Sequence, residues 1–165
     1  MDTGTIVVAC LFVSILLIPI VVINLHRKKL AKKWLLRLNQ SAYQYNCSIT
    51  MHEYSRHFAI GMDEKNGFVF FMSGKDAQPD CSFADLSAIK KVQVVKELVT
   101  GNVSKDTMGQ PDQISLQFIP LNNSVSGTRF LFFDTSRDGL PSDEFNIAER
   151  WASKLNGCLA NFKAK

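Results

Sequence analysis

At 165 residues, 46% hydrophobic and 21% charged, the chain is long enough for one domain and a short appendage and too short for a multidomain enzyme. Its net charge of +4 is concentrated: Arg27, Lys28, Lys29, Lys32, Lys33 and Arg37 oppose only Asp2 before residue 38, so that stretch carries +5 and the remainder −1. A folded portion of that balance offers no general footprint for a polyanion, which excludes nucleic acid as the expected partner.

From Ile6 to Ile23 the run IVVACLFVSILLIPIVVI has no charge, and Ser14 is its only hydrogen-bonding side chain. With Thr5, Asn24 and Leu25 it spans roughly 30 Å as a helix, the length that crosses a bilayer while satisfying every backbone amide internally. Membrane helices tolerate a proline such as Pro19. A cleaved signal peptide is the alternative, but MDTGT carries no Lys or Arg and the run ends in HRKKLAKK instead of a small-residue cleavage site. The expectation is an extracytoplasmic N-terminus and one transmembrane helix over residues 1–25, with the basic flank and everything after it in the cytoplasm.

Residues 26–46 read as a basic juxtamembrane helix, with Leu30, Trp34, Leu38 and Tyr45 near helical spacing. One reading makes Arg27, Lys28, Lys29, Lys32, Lys33, Trp34 and Arg37 contacts to the membrane surface. Trp34 then lies at the headgroup level, and each cation is worth about 1 kcal/mol near anionic lipid. The other reading is a solvated connector that obeys the positive-inside rule.

Residues 47–165 change to short β-like runs broken by turn residues. Strands are predicted near Ser48–Tyr54, Arg56–Met62, Gly67–Ser73, Ala88–Val99, Gln113–Pro120 and Thr128–Asp134. The second and third flank Asp63-Glu64-Lys65-Asn66, where Asn66 and Gly67 supply the positive φ of a hairpin turn. Pro141, Ser142, Asp143 and Glu144 open a terminal helix whose Phe145, Ala148, Trp151, Ala152, Leu155, Leu159 and Phe162 share one face. Gly157 inside it predicts a close approach to the sheet or an early end. This order is α+β: an antiparallel β barrel or curved sheet with a C-terminal amphipathic capping helix.

The segments FAIGMDEKNGFVFFM and FADLSAIKKVQVV, two further strands and a closing helix with Trp151 resemble the pleckstrin-homology-like (PH-like) fold, in particular bacterial PH-like domains of membrane-anchored proteins, over about residues 47–163. That resemblance implies seven strands, one more than the runs above, so either Ala88–Val99 bends into two or a strand is missing. It also raises phosphoinositide binding, which in that family commonly uses Lys and Arg clustered around the first hairpin. Here the hairpin carries Asp63, Glu64 and one Lys65. Lys90, Lys91 and Lys96 are the other basic concentration, partly offset by Glu97, and read as a sheet edge blunted by lysines.

Catalytic signatures are absent from the sequence: no Gly-rich phosphate loop, no GxSxG elbow and no HExxH pattern. Cys47, His52 and His57 are spaced by five, which in an extended chain points them to opposite faces and disfavours a metal site. Cys10 lies in the apolar run and Cys47, Cys81 and Cys158 form no CxxC pair, as expected of reduced thiols. Asp134, Arg137, Asp138, Asp143 and Glu144 form a polar cluster before the last helix, read as a solvated turn with helix-capping acids. The functional expectation is a membrane-anchored cytoplasmic protein-interaction domain, an adaptor or accessory subunit with no cofactor and no catalysis. The alternative is a module that binds anionic lipid.

Overall fold

The computed structural model describes residues 18, 29–74, 80–98, 111–122, 127–139 and 141–163. The segment expected to cross the membrane lies outside the described residues except for Ile18, as do Arg27 and Lys28. Among the described residues no helix is long and apolar enough to cross a membrane.

Residues 29–43 are helical (α1). Leu30, Trp34, Leu38 and Ala42 recur every four residues, which places them on one face. The helix ends where Asn46 adopts a φ of 53°, a left-handed conformation that asparagine tolerates. The Cys47 N–H then donates back to the Ala42 carbonyl at 3.0 Å.

Strands β1 (Met51–Tyr54), β2 (Phe58–Asp63), β3 (Phe68–Ser73) and β4 (Asp80–Asp85) form an antiparallel sheet in that order. A 3-10 turn at Leu86–Ala88 leads to a second antiparallel sheet of β5 (Ile89–Glu97), β6 (Gln113–Pro120) and β7 (Arg129–Asp134). A one-turn helix α2 (Thr135–Asp138) and the long α3 (Glu144–Lys163) follow.

The α+β class is as expected, with two corrections. A seventh strand, β4, precedes the Ala88–Val99 run, and the sheets stay separate instead of closing a barrel. The separation has a local cause. Asp85 caps the 3-10 turn by accepting from the Ser87 N–H at 2.9 Å, turning the chain away from β4. On β5, Asn156 of α3 accepts from the Val92 N–H at 2.9 Å and donates to the Val92 carbonyl at 2.7 Å. A helix side chain thus takes the backbone groups that a strand across the gap would need.

The main core lies between the sheets and α3. Phe71 stacks on Phe130 with centroids 4.9 Å apart and planes 7° from parallel, and Phe58 meets Phe132 at 4.6 Å. Ile147, Ala148, Trp151, Ala152, Leu155 and Leu159 present the buried face of α3 to this core, as the spacing predicts. A second core lies on the opposite face of the first sheet. There Trp34, Leu38 and Ala42 of α1 pack with Cys47, Ala59, Phe70 and Met72. Covered on both faces, β2 is buried at every position, which explains its nearly continuous apolar sequence FAIGMD. Residues 29–43 are therefore packed against the β domain; Trp34, with 6% of its surface exposed, is neither part of a solvated connector nor open at its ring.

The β2–β3 hairpin forms, but among its turn residues only Gly67 has positive φ, at 75°; Asn66 does not. The turn is instead organised by Asp63, which is buried. Its carboxylate accepts from the N–H groups of Lys65 and Asn66 at 2.9 Å each, from Asn66 Nδ2 at 2.8 Å, and from the Ser48 N–H at 2.8 Å. Burial acts to raise the Asp63 pKa, but these bonds outweigh it and hold the carboxyl below the ordinary value of 3.8. A depressed folded-state pKa contributes stability that is full above the unfolded value and is lost as pH falls through the folded one. Denaturant midpoints measured from pH 7 to pH 3 are expected to decline below about pH 4, and Asp63→Asn is expected to be less stable at pH 7 with a flatter acid limb.

Gly157, expected to mark a close approach or an early end, does neither. The helix continues to Lys163, and among the described residues no atom outside the helix's own backbone lies within 4 Å of the place a Cβ would occupy. Gly157→Ala is expected to raise stability by about 1 kcal/mol, seen as a higher urea midpoint at unchanged slope.

Candidate interaction surface and an adjoining polar cleft

The polar cluster before α3 divides into two buried carboxylate groups. In α2, Asp138 accepts a fork from Arg137, Nε at 2.9 Å and Nη2 at 2.8 Å, together with the Asp134 N–H at 3.1 Å. His57 Nδ1 lies 3.5 Å from Asp138 Oδ1, the oxygen that also accepts from Arg137 Nε, and only 2% of the Asp138 side chain is exposed. Burial acts to raise this carboxyl, yet Arg137, the Asp134 N–H and the charge of His57 hold it below the ordinary range. Asp134 is also lowered, first by the Ser136 hydroxyl and then, against burial, by the Ser136 N–H and by Gln113 Nε2 at 2.8 Å.

At the start of α3 the Glu144 carboxylate accepts from the Ser142 N–H at 2.6 Å and the Ser142 hydroxyl at 3.1 Å, with the Ser55 hydroxyl at 3.5 Å. Of the capping roles expected of these acids, Asp134 fills one, accepting from the Ser136 N–H at 2.9 Å at the start of α2. The solvated setting is not found: the β1–β2 connection, Ser55 to His57, folds over both carboxylates. Together with Leu30, Tyr54 and Arg56 they line a cleft of about 560 Å³. Its carboxylates are engaged with neighbouring donors, and the arrangement latches the β1–β2 connection to α2 and α3. A second latch holds β1 to α3, where Trp151 Nε1 donates to Glu53 at 2.9 Å and Arg150 Nη2 donates to it at 2.6 Å.

The residues singled out for metal binding are not brought together. Cys47 is buried under α1, with its thiol 3.4 Å from the Tyr45 carbonyl; His52 is exposed on β1; His57 faces Asp138. Among the described residues no group of three His, Cys, Asp or Glu is arranged to hold a metal ion. Of the residues expected at the membrane surface, Lys29, Lys32 and Lys33 are exposed, Arg37 is half-buried and Trp34 is inside.

The surface that sequence reasoning missed is the edge made by β4. Opposite residues of an antiparallel pair face the same side. The register therefore sets Cys81, Phe83 and Asp85 beside Met72, Phe70 and Phe68 on the face that α1 partly covers. Beyond the end of α1, the Tyr45 ring meets that of Phe83 at a tilt of 45° with centroids 4.5 Å apart, and the two residues remain 44% and 41% exposed. Among the described residues β4 pairs only with β3, and no backbone hydrogen bond leaves its far side. Neither β3 nor β4 contains Lys or Arg, while Asp80 and Asp85 stand at the two ends of β4. The arrangement offers main-chain donors and acceptors beside an aromatic step, with acidic groups at either end. Comparison of the chain with protein-family models, with curated proteins and with solved structures finds no match.

Proposed function

We propose that this chain is a membrane-anchored protein-interaction domain, an adaptor or accessory subunit without catalytic activity, standing at the cytoplasmic face on a helix formed by residues 5–25. The observation that carries the reading is the β4 edge, unpaired among the described residues, beside the exposed Tyr45 and Phe83. Exposed aromatic groups next to free main-chain groups are the features with which a sheet receives another chain. The buried carboxylates of the cleft, in contrast, are engaged in latching the fold. Among the described residues, seven strands followed by a helix carrying Trp151 support the PH-like reading, because seven strands and a closing helix are what the resemblance implies. The anchor rests on the apolar run and its basic flank.

A photo-cross-linking residue placed in turn at Tyr43, Tyr54, Phe83 and Leu121, all exposed, in the full chain in its own membrane tests the recruiting role. A discrete adduct with a second protein species at one of these positions is expected. Absence of any protein adduct at all four contradicts it.

The exposed Lys29, Lys32 and Lys33 on α1 favour a second reading, binding of anionic lipid at the membrane surface. On that reading, added vesicles of phosphatidylserine protect α1 amides in a salt-sensitive way and leave β4 unchanged.

A further inference from the structure

We infer that β4 is the docking edge of the domain, and that its occupant is an extended segment of a partner protein, apolar beside Phe83 and basic on either side, which adds a fifth strand to the first sheet. The inference rests on the interaction reading above and specifies its surface and the chemistry of its partner.

The other sheet edges are less open. On β5 the Val92 backbone is taken by Asn156. β1 is four residues long and is fastened to α3 through Glu53. β7 buries Phe130, Phe132 and Phe133 and runs directly into α2. β4 has six residues, the length of an ordinary strand, and among the described residues pairs on one side only.

Charged ends are a common defence of sheet edges. Here, however, Asp85 shares the face of the exposed Phe83 at one end, and Asp80 stands on the opposite face at the other end. A strand laid antiparallel to β4 puts one side chain opposite Phe83, within reach of Tyr45, and a neighbour two residues away opposite Asp85. A side chain near the other end meets Asp80. With two carboxylates on β4 and no cation on β3 or β4, lysine or arginine at those flanking positions is favoured and acids are disfavoured. A second copy of the chain fits less well. Pairing two β4 strands antiparallel about Phe83 sets Asp85 opposite Cys81 and Asp80 opposite Leu86, so neither carboxylate meets a cation.

The test uses the full chain in detergent micelles and two synthetic peptides of about ten residues. One carries a central phenylalanine among valines, with lysine two residues before it and three residues after it, and the other replaces both lysines by glutamate. Amide hydrogen exchange along the chain is the readout. The lysine peptide is expected to slow exchange of β4 amides by about tenfold or more relative to the glutamate peptide. Asp80→Lys is expected to remove that preference, and Phe83→Thr to weaken protection by both peptides. No slowing at β4, equal slowing by the two peptides, or protection of α1 alone overturns the inference. So does β4 protection that grows with protein concentration in the absence of peptide, which identifies a second copy as the occupant. A cross-linked protein at Tyr54 or Leu121 alongside an unprotected β4 sinks this inference while the interaction reading stands. No adduct at any of the four positions sinks that reading itself.

Discussion

Replacing Trp34 by alanine is expected to destabilise the domain by about 3–5 kcal/mol, the cost of removing a buried aromatic side chain whose site does not collapse. Trp34 lies between α1 and the first sheet in a cluster with Leu38, Ala42, Ala59, Phe70 and Met72, so the indole supplies much of the area that holds α1 in place. Urea unfolding of the full chain in micelles, followed by Trp151 fluorescence, reads the effect. If α1 were a solvated connector, the substitution would change stability by no more than about 0.5 kcal/mol. Trp34→Phe separates shape from polarity. Among the described residues the Trp34 Nε1 is buried with no hydrogen-bond partner, so phenylalanine removes an unsatisfied donor and is expected to cost far less than alanine.

Gly67→Val is expected to be comparably damaging, at about 2–5 kcal/mol, because two penalties coincide. The residue has φ of 75°, where a β-branched side chain is strained, and a Cβ there would lie 2.8 Å from the Phe162 ring at the end of α3. Its backbone is also committed on both sides: its N–H donates to Asp63 at 2.9 Å, and its carbonyl accepts from Leu86 at 2.9 Å. Gly139 supplies the control. At φ 85° and ψ −122° with nothing within 4 Å, Gly139→Ala carries only the backbone penalty of about 1–3 kcal/mol. If Gly67→Val and Gly139→Ala cost the same, contact with Phe162 contributes nothing and the packing described for the end of α3 is wrong.

The strands legible in the sequence are those whose side chains face a core. Gln113–Pro120 is found at its expected bounds, and β2, β3, β5 and β7 lie within two residues of theirs. β4 was not legible because DCSFAD has no β-branched residue, begins and ends in aspartate, and buries only Ala84; an edge strand carries little of the apolar signal that marks a central one. Its functional interest and its invisibility share that cause. The four-residue spacing of Leu30, Trp34 and Leu38 gave the helix correctly. It did not reveal what the apolar stripe meets, because a membrane surface and a sheet face demand the same pattern. The polar cluster at Asp134–Glu144 was legible as a cap at Asp134; its burial was not, since the covering Ser55–His57 segment is about eighty residues away in the chain and comes over it only through the β1–α3 packing.

The central claim is that the folded domain stands at the cytoplasmic face of a membrane, and Cys81 reports on it directly. Cys81 is exposed, whereas Cys47 is buried and its thiol is pushed above the ordinary range by burial and by the nearby Asp63 charge, and Cys158 is half-buried. Sealed right-side-out membrane vesicles, washed free of soluble protein, are treated with a maleimide that does not cross the bilayer, with Cys81→Ser as the control. The account predicts that the chain is present in the washed vesicles and that Cys81 stays unmodified until detergent opens them, after which it reacts first among the described thiols. Modification of Cys81 in sealed vesicles, or loss of the chain on washing, contradicts it.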